Sequence, residues 1–274
     1  LKKVIWIASY PKSGNTYLRA FLSHYLYSKE QKPDFNLLKK IPKFERIETF
    51  QKVLDKNKIN QNLDYLKYSI EVQRKLIKKF EQKNLIYKTH YFYGSINDYS
   101  FTDNKNTLLF IYIIRDPREV LISYANHNNI SIDDQLKDFT SSNIINTIGS
   151  ETIVNWSLHY KSWKSFRSVP SIFMKYEDLI SNPKKNFEKL INFLSQYMDI
   201  ELDKKNLEET IEKTSFTNLK KLENTLGFQE SNKEIKFFRS GKIDSWKKIL
   251  NKNQKNKVEK AFNVEMKKLK YITD

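Results

Sequence analysis

The stretch "SYPKSGNTYLR" at residues 9–19 decides the fold, because the chain changes there from a strand pattern to a helix pattern. The apolar run "VIWIA" (4–8) precedes it, and apolar residues at helical spacing follow it in "TYLRAFLSHYL". A nucleoside-triphosphate loop in this position would follow the pattern G-x-x-x-x-G-K-[ST]. This loop has one glycine, Gly14, and its lysine, Lys12, comes before that glycine. We therefore expect the loop to hold an anion other than a triphosphate.

The residue types of this loop favour an anion. Gly14 lets the backbone approach a ligand closely, because glycine has no side chain. The amides of residues 13–16 open a helix, where the helix dipole favours negative charge. Lys12 adds a point charge from outside the helix. An ordinary strand-to-helix turn is the alternative interpretation.

Apolar strands alternate with helical segments along the chain. The patterns predict strands at 3–9 and 107–117, a strand that runs into a loop at 84–90, and a strand that turns into a helix start at 171–179. They predict helices at 14–28, 63–80, 118–127 and 152–166. Ser131-x-x-Asp134 matches a capping box at the start of a further helix. This alternation predicts an α/β fold with three layers, in which helices flank a central parallel sheet. We find no internal repeat and no linker, so we expect one domain over residues 1–274.

In such a sheet, ligands bind at the carboxyl ends of the strands. The predicted strand ends and the later loop "FRSGK" carry mostly cationic polar residues, namely Lys12, Lys88, Thr89, His90, Arg115, Lys175, Tyr176, Arg239 and Gly241. Arg115 could grip a second phosphate through its guanidinium fork, with Ser123 adding a hydroxyl. The alternative is that Arg115 pairs with Asp116 or with a surface carboxylate.

The bulk composition limits the function classes. A formal net charge of +17 suits polyanions such as nucleic acid, anionic lipid or a phosphorylated ligand. Lysine is abundant along the whole length, however, so a global compositional bias is the alternative. The absence of cysteine excludes disulfides, thiolate metal sites and a thiol nucleophile. The longest apolar run, "LLFIYII" (108–114), is too short to span a bilayer, and no signal peptide is visible.

The remaining histidines and two tryptophans have structural interpretations. His24 and His159 lie on predicted helices, where a packed or surface histidine is the expected role. His127 follows a helix and is interpreted as a cap or loop residue. No pair of histidines has metal-ligand spacing, so we predict no metal site. Trp156 and Trp163 are interpreted as core residues.

Five segments together resemble a known family. They are, in order, "YPKSGNT" (10–16), "KTH" (88–90), "IIRDPREVLISY" (113–124), "MKYEDL" (174–179) and "FRSGKIDSWKK" (238–248). In order and separation they resemble the sulfotransferases that use 3′-phosphoadenosine-5′-phosphosulfate (PAPS) and release 3′-phosphoadenosine-5′-phosphate (PAP). The resemblance extends from residue 4 to about residue 248, and it implies a P-loop-like phosphosulfate-binding loop after the first strand.

The resemblance implies a role for each matching residue. It implies that the 5′-phosphosulfate is bound by Lys12, Ser13, Gly14, Asn15 and Thr16. Arg115 and Ser123 would bind the 3′-phosphate, with further contacts from Arg239, Ser240 and Gly241. Tyr17 and Tyr176 would lie at the adenine, and Thr214-Ser215-Phe216 resembles a further nucleotide-side segment. His90 would be the general base, with Lys12 and Lys88 as the other catalytic residues.

The implied function is metal-independent, in-line transfer of a sulfuryl group from PAPS to a hydroxyl, with an amine as the second choice of acceptor. Lys12 would stabilise the leaving phosphate oxygen, and a neutral His90 would accept the acceptor's proton. We expect a small-molecule, glycan or glycolipid acceptor, a cytoplasmic location, no nucleic-acid partner and no transmembrane segment. The alternatives are a P-loop kinase-like enzyme, a basic nucleic-acid-binding protein, and a family member that binds PAPS without turnover.

The chain departs from the family pattern at three places. Tyr17 stands where many relatives have tryptophan, which keeps an aromatic face. Asp244 stands where the pattern R-x-G-x-x-G-x-W has its second glycine, which leaves the backbone geometry of that loop open. "YFYG" follows His90, where the branch that acts on phenols and steroids has Leu-Pro, so the acceptor of that branch does not transfer to this chain.

Overall fold

The computed structural model describes residues 3–30, 32–80, 85–141, 146–148, 151–228, 230, 236–238 and 241–273. Its strands are β1 Val4–Ser9, β2 Leu85–Thr89, β3 Ser95–Ile96, β4 Tyr99–Ser100, β5 Thr107–Ile114, β6 Asn146–Ile148, β7 Glu151–Ile153 and β8 Ser171–Lys175. Its α-helices are α1 Asn15–Tyr27, α2 Ile47–Phe50, α3 Asn62–Lys67, α4 Ser69–Lys79, α5 Pro117–Asn128, α6 Ile132–Phe139, α7 Trp156–Ser165, α8 Tyr176–Ser181, α9 Pro183–Ser195, α10 Lys204–Lys213, α11 Phe216–Leu226, α12 Trp246–Ile249, α13 Lys252–Ala261 and α14 Asn263–Lys268. Two 3₁₀ helices span Phe35–Lys40 and Lys56–Lys58.

A four-stranded sheet in the order β2-β1-β5-β8 forms the centre of the fold. β1 pairs in parallel with both β2 and β5, so the carboxyl ends of these three strands lie at one edge of the sheet. Their apolar runs are buried on both faces, as expected for strands of a parallel sheet. The α/β prediction is therefore confirmed. The sequence patterns did not predict the short antiparallel pairs β3–β4 and β6–β7.

The chain divides into two compact units. Unit 1 comprises Leu1–Tyr10, Ile41–Ile113 and Ser142–Phe173, and unit 2 comprises Pro11–Lys40, Ile114–Ser141 and Met174–Asp274. The chain passes from unit 1 to unit 2 just after β1, at the last residue of β5 and within β8. Residues 11–14 before α1, which we name the donor loop after the role that the resemblance implies, belong to unit 2, as does Arg115. His90 belongs to unit 1.

Aromatic side chains form much of the core of unit 1. The Trp6 ring meets Phe44 edge-on at 5.0 Å between centroids, and its indole N–H donates to the Thr107 hydroxyl at 3.1 Å. Phe110 of β5 packs on Trp163 of α7 at 5.0 Å. Trp163 and Trp156 are almost fully buried, which confirms their interpretation as core residues.

In unit 2, α1 is held by packing on one side and by an ion pair on another. Phe21 stacks on Phe187 of α9 at 3.7 Å between ring centroids. Arg19, which is almost fully buried, pairs with Glu230 at 2.8 Å. The helix runs from Asn15 to Tyr27, as the strand–loop–helix pattern predicted.

The predicted single helix over 63–80 is wrong in one respect. Tyr68, with φ −98° and ψ 4°, separates α3 from α4. Two backbone hydrogen bonds keep a helical spacing across the break: the Tyr68 amide donates to Asp64 O, and the Val72 amide donates to Tyr68 O. The apolar periodicity therefore survives the interruption, and periodicity alone does not reveal it. Ser69, the first residue of α4, lies next to the break, and its buried hydroxyl donates to the carbonyl of Phe101 at 2.6 Å.

None of the helices within the described residues is long and apolar enough to cross a membrane.

Candidate functional site: a donor loop and a histidine

The loop before α1 has the geometry of an anion cradle. Lys12 has a φ of +65° and Gly14 a φ of +102°, so the backbone turns twice through the left-handed region. Glycine adopts that region without the steric cost of a Cβ, which explains Gly14. A side chain at position 14 would also collide with Tyr176, because a Cβ there would lie 2.4 Å from the ring. Gly14 is the N-cap of α1 and has no side chain to cap the first helical amides.

Ser13 supports a ligand in this loop. Ser13 is fully buried, and its hydroxyl oxygen has no hydrogen-bond partner among the residues that the structure describes. A buried hydroxyl without a partner costs free energy, so such groups in proteins usually face a water or a ligand. Thr16, one helical turn further, donates its hydroxyl to Glu230 at 3.3 Å. Ser13 therefore provides a hydroxyl that an oxyanion would satisfy.

Arg115 lies against the same loop within unit 2. Its Nη1 donates to the carbonyl of Lys12 at 3.2 Å, and its guanidinium lies 4.3 Å from the centre of the Tyr176 ring. The Lys12 ammonium lies 4.7 Å from the centre of the Phe237 ring. Two residues that are 103 positions apart in sequence thus bring their positive charges to one loop. The structure therefore assembles the predicted residues Lys12, Gly14, Arg115 and Tyr176 in one place.

The ion pair of Arg115 differs from the alternative that the sequence left open. Arg115 pairs with Glu119, four residues later on the first turns of α5, at 3.3 Å. Asp116 instead caps α5 by accepting from the Arg118 amide, and it also holds the Arg118 guanidinium at 2.6 Å. Asp116 is therefore a helix cap with its own arginine and is not the partner of Arg115.

The aromatic residues predicted at the adenine lie together. The rings of Tyr17 and Tyr176 meet edge-on at 6.5 Å, and Tyr17 also packs on Phe187 at 5.7 Å. Burial raises the pKa of Tyr17, and the neighbouring Tyr176 adds to that rise. Burial also raises the pKa of Tyr176, while Arg115 opposes the rise. Both phenols are therefore neutral at physiological pH and present apolar ring surface.

The later glycine loop lies against the segment "TSF". Gly241 has a φ of +60°, and a Cβ there would lie 2.4 Å from the Phe216 ring. Ser215 uses its hydroxyl as the N-cap of α11, which accepts from the Asn218 amide at 3.3 Å. The carbonyl of Lys242 lies 3.5 Å from Arg115, so this loop contacts the Arg115 side chain. Arg239 and Ser240, predicted at the 3′-phosphate, lie outside the described residues.

Asp244 occupies a backbone conformation that explains the glycine of the family pattern. Its φ is +63°, in the left-handed region, and aspartate is one of the few residues other than glycine that tolerate it. Its carboxylate pairs with Lys247 at 2.9 Å on the surface. The loop thus keeps the turn that glycine would make.

Substitutions at Asp244 should separate backbone strain from the loss of the charge. Asp244→Val should lower the free energy of unfolding by about 1–2 kcal/mol, because a β-branched residue is strained at positive φ. Asp244→Gly should change it by less than about 0.5 kcal/mol, because relief of strain offsets the greater entropy of glycine in the unfolded chain. Denaturant unfolding would measure both values. Asp199→Val, at an exposed aspartate without positive φ, is the control, and an equal loss there would contradict the strain argument.

In unit 1, His90 follows β2 and is anchored by its ring. Its Nδ1 lies 2.7 Å from the carbonyl oxygen of Ser9 and 3.3 Å from the Ser9 hydroxyl. Because a carbonyl can only accept, Nδ1 carries the proton, and the neutral ring keeps its lone pair on Nε2. The residue is half-buried. His90 can therefore accept a proton at Nε2.

The residues around His90 fix the turn that follows β2. The Lys88 amide donates to Pro42 O at 2.9 Å, and the Lys88 carbonyl accepts from the Phe44 amide at 3.0 Å. The Thr89 hydroxyl donates to Glu45 at 2.5 Å and accepts from the Tyr91 amide at 2.9 Å. Lys88 is largely buried. The segment "KTH" is therefore a rigid end of β2.

Ser123 and the other three histidines lie on helices. Ser123 is half-buried in the second turn of α5. His24 and His159 are almost fully buried, so their interpretation as packed residues holds. His127 lies in the last turn of α5 rather than after the helix. In the part of the chain that the structure describes, no three His, Cys, Asp or Glu residues gather as a metal-binding group.

Sequence reasoning missed Glu119, which joins two of the predicted segments. Its buried carboxylate pairs with Arg115 and also accepts from the Ser245 hydroxyl and the Trp246 amide, each at 2.9 Å. The Glu119 carboxylate thereby binds both Arg115 and the end of the loop "RSGKIDSW". The spacing of four residues from Arg115 on a predicted helix was the available signal.

Comparison with known proteins identifies the family of the chain. The family model described as "Sulfotransferase domain" matches residues 2–270, nearly the whole chain. The chain is 27% identical to sulfotransferase 1B1 of Mus musculus over 98% of this chain and 85% of that protein. It is 22% identical to an amine sulfotransferase of Oryctolagus cuniculus, over 98% and 83%, and 26% identical to a flavonol 3-sulfotransferase of Flaveria bidentis, over 94% and 80%.

Solved structures show the same fold. Retinol dehydratase in complex with androsterone and the inactive cofactor PAP superposes with a TM-score of 0.63 at 18% identity, over 97% of this chain and 82% of that one. Mouse sulfotransferase SULT7A1 complexed with PAP gives 0.59 at 16% identity, over 96% and 84%. The family match over nearly the whole chain leads to one conclusion: the chain belongs to the sulfotransferase family, as its five motifs predicted.

Proposed function

We propose that this protein transfers a sulfuryl group from PAPS to the hydroxyl of an acceptor, within one catalytic domain over residues 1–274. The observation that carries the proposal is the loop in which Lys12, the buried Ser13 hydroxyl and Arg115 converge. Family membership supports the reaction class, and relatives of the same fold have been solved with PAP.

The residues of unit 2 fit such a donor. Ser13 offers a buried hydroxyl without a partner among the described residues, and Gly14 keeps the cradle open. The Lys12 side chain and the amides of 13–16 would hold the 5′-phosphosulfate by charge and by the helix dipole. Arg115 would hold the 3′-phosphate, together with Ser123 and with Arg239, Ser240 and Gly241 of the later loop. Tyr17 and Tyr176 would border the adenine, and Asn15 and Thr16 would complete the first turn of the cradle.

The protein's residues would stabilise the negative charge on the leaving group and remove one proton from the acceptor. PAPS supplies an activated sulfuryl group, which explains why we propose a metal-independent reaction. Lys12 would stabilise negative charge on the leaving phosphate oxygen, as positioned cations do in phosphoryl transfer. His90 would take the acceptor's proton at Nε2, because its Nδ1 proton is engaged by Ser9. Lys88, the residue before the last in β2, would be the third catalytic residue, as a source of positive charge.

We propose a hydroxyl acceptor first and an amine second. Both classes occur among the relatives, one of which is named for amines and another for a flavonol. An aliphatic amine is mostly protonated at neutral pH and would have to lose a proton before it attacks, whereas a hydroxyl needs a base only during attack. A small molecule, a glycan or a glycolipid headgroup all meet this requirement. We place the protein in the cytoplasm, as the name of a cytosolic sulfotransferase among its relatives suggests.

Binding of PAP without metal tests the donor assignment. In the presence of EDTA, PAP should raise the melting temperature, since a ligand at 100 times its Kd stabilises the native state by about 2.7 kcal/mol. 5′-AMP, which lacks the 3′-phosphate, should stabilise much less at the same concentration. In Arg115→Ala the advantage of PAP over 5′-AMP should shrink. Equal stabilisation by both nucleotides in the wild type would contradict the 3′-phosphate site, and dependence on ATP with Mg²⁺ would favour the kinase-like alternative.

A further inference from the structure

A closed ring of hydrogen bonds lies behind His90 in unit 1. The His90 Nδ1 donates to the Ser9 carbonyl at 2.7 Å, and the amide of Tyr10, in the same peptide group, hydrogen-bonds to the Tyr112 hydroxyl. The Tyr112 hydroxyl lies 2.8 Å from Nδ1 of His159. The ring closes through Nε2 of His159, which lies 2.9 Å from the carbonyl oxygen of His90.

The direction of every bond in this ring follows from one fixed acceptor. Because the His90 carbonyl can only accept, Nε2 of His159 carries a proton and donates to it. Nδ1 of the neutral His159 is then an acceptor, so the Tyr112 hydroxyl donates to it. The Tyr112 oxygen in turn accepts from the Tyr10 amide. Donors and acceptors therefore run head to tail from the Ser9–Tyr10 peptide through Tyr112 and His159 to the His90 carbonyl, an arrangement in which each bond polarises the next. The covalent bonds of His90 close the ring.

The surroundings keep the ring dry and neutral. His159 and Tyr112 are buried to within 1% of full burial. Burial raises the pKa of Tyr112 well above its ordinary value of 10, the neighbouring Tyr160 adds to the rise, and the Tyr10 amide opposes it. The Tyr10 ring also meets the His159 ring edge-on at 5.8 Å. The Tyr112 hydroxyl therefore stays a donor at every physiological pH.

We propose that His159 and Tyr112 are positioning residues for His90, holding its backbone and its ring so that Nε2 stays the unprotonated nitrogen. The inference rests on the proposed role of His90 as the base. The peptide between Ser9 and Tyr10 is gripped at both ends, by His90 at its carbonyl and by Tyr112 at its amide.

Breaking the ring should lower the rate of turnover but leave donor binding unchanged. Loss of the Tyr112 hydroxyl leaves the Tyr10 amide and the His159 Nδ1 without their partner in the ring. The Ser9–Tyr10 peptide is then held less firmly, so the bond from His90 Nδ1 to the Ser9 carbonyl weakens and the His90 proton can move to Nε2. Donor contacts lie on other residues, so the KM for PAPS and the affinity for PAP should change little.

Kinetics of Tyr112→Phe and His159→Gln test this division. Both variants should lower kcat by about 10–100-fold, the usual effect of removing a residue that orients a functional side chain. The KM for PAPS should stay within about twofold, and PAP titration would normalise each rate to the amount of folded protein. Tyr160→Phe, which removes a hydroxyl from the neighbouring residue of α7, is the matched control and should keep near-normal kcat. A loss of kcat in Tyr160→Phe equal to that in Tyr112→Phe would contradict the inference.

A double-variant cycle tests whether the pair acts through His90. In the His90→Asn background, Tyr112→Phe should have little further effect on kcat, because the group that it positions is already absent. Full additivity of the two losses would overturn the inference and assign Tyr112 a purely structural role.

A spectroscopic readout keeps the inference testable even if the proposed reaction is wrong. In protein labelled with ¹⁵N-histidine, His90 should show a protonated Nδ1 and an unprotonated Nε2, assigned by loss of its signals in His90→Asn. In Tyr112→Phe and His159→Gln, the His90 Nδ1 proton should exchange faster with water and the two tautomers should mix. An unchanged His90 tautomer in both variants would refute the positioning role, whatever the enzyme assays show. Absence of any transfer by the wild type, with the tautomer shift present, would instead refute only the proposed function.

Discussion

His90→Asn should lower sulfuryl transfer from PAPS by about 10²–10⁴-fold, the usual contribution of a positioned general base. Asparagine keeps a polar side chain of similar reach, but it has no nitrogen that can take a proton at neutral pH. The Ser9 carbonyl, which the His90 ring now contacts, can still be reached by an amide donor. PAP affinity and the melting temperature should therefore stay close to those of the wild type.

The dependence of kcat on pH provides a second test of His90 as the base. Only the neutral imidazole has a lone pair, so protonation of His90 removes the base, and the wild-type kcat should fall as the pH is lowered. In His90→Asn that acid limb should disappear, leaving a lower and flatter profile. Transfer to any acceptor that the wild type sulfates, measured across pH, would show both effects.

The matched control is His127→Asn, at a half-buried histidine in the last turn of α5. His127 lies outside the residues that we propose for donor binding and for the base. This variant should therefore retain the wild-type kcat and its fall at low pH. Near-normal turnover in His90→Asn would refute the role of the histidine as base and would shift attention to Lys88 on the same strand.

Lys12→Ala should mainly slow turnover, whereas Arg115→Ala should mainly weaken donor binding. The charge of Lys12 would meet charge that develops only as the phosphate oxygen leaves, so its loss should raise the barrier by roughly 2–4 kcal/mol, as for loss of an oxyanion-hole donor. Arg115 would grip a phosphate that is present in donor, transition state and product alike. Such uniform binding appears in KM and in PAP affinity rather than in kcat.

Two further variants separate the charge of Lys12 from its packing and from the net charge. Lys12→Met keeps an unbranched apolar side chain but removes the ammonium that lies over Phe237, so it should lose as much kcat as Lys12→Ala if charge is the cause. Lys184→Ala removes one positive charge from an exposed pair with Glu208 and should leave both parameters unchanged. Equal changes of kcat and KM in Lys12→Ala and Arg115→Ala would contradict the proposed division of roles.

The sequence by itself determined the fold class, the family and the position of the loop. These features are local or periodic: an apolar strand, a lysine, a glycine and a helix follow one another within "VIWIASYPKSGNTYL". Parallel pairing places the ends of β1, β2 and β5 at one edge, so the order of strands and helices along the chain was enough to select candidate residues at the strand ends. The N-cap predicted at Ser131 before α6 was also confirmed, because a cap depends on residues three positions apart.

Only the tertiary structure decided which polar groups meet. Arg115 has acidic residues one and four positions later, and the fold gives it Glu119 while Asp116 takes Arg118. The orientation of the His90 ring depends on Ser9, 81 residues away, and Tyr112 meets His159 across 47 residues. The left-handed conformation of Asp244 likewise belongs to a loop fixed by Glu119, more than a hundred residues earlier. A hydrogen bond requires distance and angle between groups that chain folding brings together, and no local pattern of residue types encodes that geometry.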